Sequence, residues 1–348
     1  VMLSVLFGLF IFKWAKELGG IIAGIIALLL YAFDPNILGH NHFVTTDLGI
    51  AMFISMAFYY FLKFIKEPTW KNVAWGGLFL GLVQLAKFSS VLIFPIFGLV
   101  LIIYPLVKIN RHKKDSNTLF KIKTLGEYLG KGAIAFLLSI VLVWAVYYIN
   151  TFAMPETKLA ETINYYFSPS DTANVKNIYT NKVLLTLNQN DALRPLSEYF
   201  LGIAMVFKRV AGGNGAYFMG QVSSKAFPAY FPVVFLIKEP LPSLFLMLLA
   251  LFYALYKMGN TCLESFRASS KRALHALSHY LRTGITEISL FSFIILYTYI
   301  SVTGNLNIGF RHLSPILPFI YILVAKNIGP PPGPLSGIMK PMQAITGT

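Results

Sequence analysis

The sequence predicts an all-α, polytopic membrane protein, and three observations carry that reading. Of the 348 residues, 56% are hydrophobic, 15% aromatic and only 12% charged, where a soluble domain carries about 25% charged residues. Uncharged apolar runs at 21–30, 50–61, 91–107, 133–149, 244–256 and 288–302 recur along nearly the whole chain, so hydropathy finds repeated spans instead of one anchor. The alternating pattern of an outer-membrane barrel is missing, and lipid admits only helices or closed barrels. A single cysteine, Cys262, excludes a disulfide framework and a Cys-based zinc site.

Charged clusters and Gly/Pro punctuation divide the chain into about nine apolar segments, at 1–12, 18–33, 48–62, 73–86, 88–107, 132–149, 241–256, 286–303 and 313–327. The first holds twelve residues before Lys13, which as a helix reach about 18 Å against a hydrocarbon core of about 30 Å. Val1 is not an initiator methionine and no charged segment precedes the run. The first span is therefore read as truncated, part of a longer protein. The expected organisation is an N-terminal bundle over 1–149 with a basic loop at 108–131, a loop domain over 150–230, a C-terminal bundle over 231–327 and a disordered tail over 328–348, which carries Gly329-Pro330-Pro331-Pro332-Gly333-Pro334.

If the segments cross alternately, one side holds nineteen Lys/Arg residues in short loops and the other only Lys87, Lys238 and Arg311 outside the long excursion 150–230. Long loops translocate largely regardless of charge, so this asymmetry places the basic loops in the cytoplasm. The net charge of +15 is thereby accounted for by topology, without a nucleic-acid partner. The excursion mixes five acids with seven bases and is rich in aromatics. It is too long and too apolar for a connector and is predicted to pack as a partly helical extracytoplasmic layer.

Four outer turns concentrate the polar residues that lipid makes costly. The first runs from Asp34-Pro35-Asn36 through Leu38-Gly39-His40-Asn41-His42 to Thr45-Thr46-Asp47. Asp47 suits the start of a helix, and with His40 and His42 it forms a candidate metal set if the turn is irregular. The second holds Lys87 between two apolar segments, read either as a snorkelling cation or as an anion ligand. In the third, Phe235-Leu236-Ile237-Lys238-Glu239-Pro240-Leu241-Pro242, a Lys-Glu ion pair at a proline bend is the alternative to a substrate contact. The fourth, Asn305-Leu306-Asn307-Ile308-Gly309-Phe310-Arg311-His312-Leu313, offers in Arg311 a guanidinium suited to bidentate phosphate recognition. Cations on three outer turns fit an anionic, phosphorylated, lipid-borne substrate.

These turns, with Gly77-Leu78-Phe79-Leu80-Gly81-Leu82 leading to Lys87-Phe88-Ser89, and with Tyr217-Phe218-Met219-Gly220 and Tyr230-Phe231-Pro232, resemble the GT-C superfamily of multi-spanning glycosyltransferases. The resemblance is to its protein O-mannosyltransferase-like and aminoarabinose-transferase-like branch. It implies transfer of a sugar from a polyprenyl phosphate to a hydroxyl of a protein or envelope lipid on the extracytoplasmic face. That setting is the plasma or inner membrane of a prokaryote, or the endoplasmic reticulum of a eukaryote.

In that family the catalytic acid sits on the first outer loop, after one further span; on that expectation the present chain is inactive by itself. The resemblance makes Asp47 the catalytic candidate and Lys87, Arg311, His312, Lys238, Glu239, His40 and Tyr230 the substrate-binding set. It requires no nucleotide and no certain cofactor, a divalent metal at His40, His42 and Asp47 apart. The partners are a polyprenyl-phosphate sugar, a protein or lipid acceptor and the bilayer. The chief rivals are a transporter or flippase with a broken helix near Lys238-Glu239-Pro240, and a non-catalytic assembly subunit.

Overall fold

The structure, a computed structural model, describes residues 1–43, 45–111, 118–169, 175–266 and 280–329. Val44, Lys113, Lys114 and the tail from residue 330 lie outside the described residues. The chain divides into two units. One comprises Val1–Ser55, Phe231–Thr298 and Gly309–Thr348; the other comprises Met56–Tyr230 and Tyr299–Ile308.

In the first unit, α1 (Met2–Ala32) turns back on itself at Gly20. Its φ of +83° and ψ of −178° fall in a region that is essentially glycine-only. The two arms then meet side by side: the Ser4 and Tyr31 hydroxyls are 2.9 Å apart, the Phe7 and Tyr31 rings stack edge-on at 5.4 Å, and Gly24 lies against Phe12. The break expected at 13–17 is therefore displaced to Gly20. Lys13, Lys16 and Glu17 remain helical, because straight-chain charged residues favour a helix and nothing among them interrupts it.

After the short helix α2 (Pro35–His40), α3 (Thr46–Lys66) carries the chain from the first unit into the second. The first unit resumes with α10 (Tyr230–Lys238) and α11 (Leu241–Phe266), bent by 113° at Glu239-Pro240. It continues with α12 (Ile285–Thr303) as far as Thr298 and ends with the apolar α13 (Leu317–Ile328), preceded by a 3₁₀ turn over Phe310–Leu313. Helix α13 packs on α1 and α11; Phe319 meets Trp14 at 6.0 Å and Phe293 at 5.3 Å, and Lys326 pairs with Glu287.

In the second unit, α4 (Trp70–Ala86) is capped by the Thr69 hydroxyl and lies along α6 (Thr118–Thr151). The approach depends on small residues, as is usual between membrane helices. A Cβ added at Gly77 or Gly81 would lie 2.8 Å from the Ala135 carbonyl oxygen or the Leu142 side chain. Helix α5 (Phe94–Arg111) follows a 3₁₀ turn over Phe88–Ile93 and packs on α6 as well.

Beyond α6 come α7 (Glu156–Tyr166), α8 (Val175–Asn188) and α9 (Arg194–Gly212), joined through a core of Leu159, Ile163, Phe167, Leu184 and Leu201. A hairpin of β1 (Ala216–Phe218) and β2 (Gln221–Ser223) turns through Met219 and Gly220. Both have positive φ, as a two-residue hairpin turn requires.

Among the described residues five helices are long and apolar enough to cross a membrane, and a sixth crossing results if α10 and α11 form one broken span. The difference from nine narrow segments has a plain origin: α1 enters the count once although its two arms, on either side of Gly20, correspond to 1–12 and 18–33, while α4 and α13 have 17 and 12 residues. Large apolar side chains such as Leu137 (60% exposed) and Ile295 (65% exposed) line the outside of the long helices. In water such faces would need covering; in lipid they are solvated. The chain is an all-α polytopic membrane protein.

Candidate functional site

The first unit brings parts of three of the four polar turns together. Asp34, 1% exposed, caps α2: its Oδ1 accepts hydrogen bonds from the Asn36 backbone N–H (2.7 Å) and from Asn36 Nδ2 (2.9 Å). Its Oδ2 accepts one from the Tyr321 hydroxyl of α13. Asn36 Nδ2 also donates to the Lys238 carbonyl oxygen at 3.1 Å, tying the end of α10 to the start of α2. Glu239 follows at the bend, 4% exposed and within electrostatic range of Asp34.

The two carboxyl groups differ in their satisfaction. Asp34 has three donors, whereas neither oxygen of Glu239 has a hydrogen-bond partner. A buried polar group without a partner is costly, so Glu239 is disposed to accept a proton, a hydroxyl donor or a cation. The Lys238-Glu239 ion pair considered from the sequence is not formed. The Lys238 side chain is exposed while Glu239 turns inward, since α10 ends between them and successive residues at the bend face opposite surroundings.

Gly309, with φ +98°, starts the turn that carries Arg311 and His312. The His312 ring lies 5.4 Å from both Phe231 and Tyr297, while the Arg311 side chain is exposed. His40 is half-buried at the end of α2, His42 is exposed, and Asp47 is buried in the first turn of α3. These last three do not converge: among the described residues no group of three His, Cys, Asp or Glu side chains could hold a metal. The helix of α2 keeps His40 on its last turn while the following turn points His42 to the surface.

The second unit holds the remaining expected residues. Lys87 sits half-buried in extended backbone (φ −167°) between α4 and the 3₁₀ turn. Tyr230 packs its ring against Phe218 at 5.7 Å. The Asn305 and Asn307 side chains accept hydrogen bonds from the Ala226 and Phe227 backbone N–H groups at 3.0 and 2.6 Å. Those two asparagines thus anchor the segment between the hairpin and α10.

Sequence reasoning passed over Asp34, Asn36 and Tyr321 as site residues. For Asp34 a signal was present, because Asp followed by Pro at a helix start is an N-cap pattern. For Tyr321 there was none, since its partner is 287 residues away.

A helical membrane bundle with cationic turns and a buried carboxyl pair is the class that these features define. Over residues 1–144 the chain matches the dolichyl-phosphate-mannose-protein mannosyltransferase family, whose members are GT-C-type membrane glycosyltransferases. No curated protein and no solved structure matches the chain significantly.

Proposed function

We propose that this protein transfers a sugar from a polyprenyl-phosphate carrier to a hydroxyl of a protein or envelope lipid at the extracytoplasmic face of the membrane. The observation that carries the reading is the family match over residues 1–144. The polar turns of the two units supply chemistry that agrees with it.

In such a transfer the acceptor hydroxyl attacks the anomeric carbon, a base takes its proton, and the bond to the carrier breaks so that polyprenyl phosphate leaves. Negative charge grows on the leaving phosphate, and fixed cations near it lower the barrier. Arg311, exposed on its turn in the first unit, is proposed for that role, and Lys87 in the second unit is proposed independently as a cation for the donor. Asp47 remains the proposed catalytic residue, and Glu239, His40, His312, Lys238 and Tyr230 remain proposed substrate contacts. The test is a photoreactive polyprenyl-phosphate sugar presented to membranes containing the protein. Crosslinking that free polyprenyl phosphate displaces supports the reading, and labelling indifferent to that competitor overturns it.

The bend of 113° at Glu239-Pro240, beside a buried carboxyl without partners, favours a second reading. Broken helices that expose unsatisfied groups are the usual architecture of transporter sites. Under that reading, proteoliposomes would move a lipid-linked or anionic substrate across the bilayer, and Glu239→Gln would stop the movement while leaving binding of the photoreactive donor unaltered.

A further inference from the structure

The second unit contains a cavity of about 300 Å³ that none of the polar turns' roles uses. Its walls come from the 3₁₀ turn, α6, α7 and α9. Phe88 and Tyr147 supply aromatic surface, Leu159 and Leu201 aliphatic surface, and Lys158 and Glu198 the charges. The space exists partly because α9 carries glycine where Phe88 crosses it. A Cβ on Gly202 would lie 2.2 Å from the Phe88 ring, so this ring could not reach its place against any other residue.

The two charged groups are not paired with one another. Glu198 Oε2 is buried and has no hydrogen-bond partner, and Lys158 lines the same cavity without an ion pair to it, although α7 and α9 are in contact. The nearby Thr162 hydroxyl is already committed to the Lys158 carbonyl oxygen at 3.0 Å. Burial holds the Glu198 carboxyl above the ordinary carboxylate range, as expected where no donor compensates for lost water.

The chemistry of the walls selects the occupant. The buried Glu198 Oε2 requires a donor, the exposed Lys158 ammonium can offer one, and a hydroxyl can meet both. A phosphate would satisfy Lys158 but place its charge against Glu198. A bare hydrocarbon would leave the buried Glu198 Oε2 unsatisfied. The aromatic and aliphatic walls suit the C–H faces of a compact ring. At roughly 30 Å³ per water the cavity equals about ten waters, enough for one sugar ring and too little for an oligosaccharide or a polyprenyl chain.

We propose that the cavity between α6, α7 and α9 is a binding site for a neutral hydroxylated ligand the size of one sugar residue, held by Glu198 and Lys158 across apolar walls. Most of the lining lies beyond residue 144, outside the stretch that the family match covers. The inference goes beyond the transfer reading and does not depend on turnover. The ring could belong to a lipid-linked donor or to a glycosylated acceptor; the chemistry recognised is the same.

The experiment is ligand-observed NMR on the full chain in lipid nanodiscs, free of sugar-based detergent, with methyl hexosides and methyl pentosides as probes. The wild type is expected to bind at least one of them. Glu198→Gln, which keeps the shape and removes the charge, should weaken binding about tenfold or more, and Thr162→Phe, which fills the cavity from α7, should abolish it. Circular dichroism and size-exclusion profiles check the fold of both variants. If Glu198→Gln misfolds, Thr162→Phe and Lys158→Met decide. Displacement by a polyprenyl-phosphate sugar assigns the ring to the donor, and displacement by a glycosylated peptide assigns it to the acceptor; either supports the site. Absence of binding below roughly 10 mM, where affinity is under about 3 kcal/mol, overturns the proposal. So does binding that both variants leave unchanged, or equal displacement by a farnesyl methyl ether that has no hydroxyl.

Discussion

At the scale of single residues, Arg311 separates phosphate recognition from simple anchoring at the interface. Its side chain is exposed on a turn that Gly309 starts. If it contacts the donor phosphate through both guanidinium nitrogens, Arg311→Lys keeps a charge but loses the planar fork. A charge-assisted hydrogen bond is worth roughly 1.5–3 kcal/mol, so a contact that strengthens in the transition state corresponds to about a 10- to 150-fold loss of transfer rate. Lys87→Arg should be milder, because a point charge is replaced at similar reach. Sugar transfer by membranes carrying each substitution at the native locus measures this. Wild-type rates in Arg311→Lys would mean that the phosphate is held elsewhere.

Glu198 yields a prediction in pH. Its carboxyl is raised above 4.5 by burial, so the folded state holds the proton more tightly than the unfolded chain does. Whatever stability this contributes is complete below the unfolded value and is lost as pH rises through the folded one. Neutral Gln has no such dependence. The melting temperature of the wild type should therefore fall relative to that of Glu198→Gln as pH is raised from about 4.5 towards neutrality. A constant difference across that range would mean that Tyr147 and Lys158, which share the cavity wall, compensate the charge.

At the scale of elements, the reversal at Gly20 and the close approach at Gly81 show two different uses of glycine. Gly20 has open space around it and an unusual backbone, so Gly20→Ala should cost about 1–3 kcal/mol through conformation alone. Gly49 also has open space but sits inside α3 with no positive φ. There Ala should be neutral or stabilising by about 0.5–1 kcal/mol, since glycine weakens a helix. Thermal melting of the two variants in the same detergent tests the contrast. Equal effects would mean that the fold of α1 does not depend on the Gly20 reversal.

The same elements show why boundaries were hard to read. Charged residues at 13–17 looked like a loop because charge interrupts hydropathy, yet charge does not interrupt a helix. Conversely Gly20 lies in a run with Gly19 that hydropathy treats as ordinary apolar sequence. The three helices and hairpin between 156 and 223 were visible only as an aromatic-rich excursion. Their pairing rests on contacts such as Asn181 to the Phe167 carbonyl oxygen (2.7 Å) and Ser197 to the Leu184 carbonyl oxygen (2.8 Å), which no local pattern encodes.

At the scale of the whole molecule, orientation is the prediction that the charges make. With nineteen Lys/Arg residues on one side and, outside the long excursion 150–230, three on the other, residues 108–131 should face the cytoplasm and 150–230 the outside. A Cys at the exposed position Glu161 should react with an impermeant reagent from outside, and a Cys at the exposed position Lys123 should not, in a background with Cys262 replaced. The reverse pattern would overturn the topology and with it the face proposed for transfer.

Composition, the length of the apolar runs and the distribution of lysine and arginine were enough to determine a helical membrane protein. The ordered motifs around Asp47, Lys87 and Arg311 were enough to point to the family later matched over residues 1–144. Those properties are sums or local strings, and they are written in one dimension. Only the tertiary structure decided that Asp34, Asn36, Lys238 and Tyr321 form one bonded group, that Glu239 turns inward without a partner, and that Glu198 and Lys158 line a common cavity. The bonded group and the cavity join residues separated by tens to hundreds of positions, and whether a carboxyl is satisfied or bare depends on what the fold brings to it.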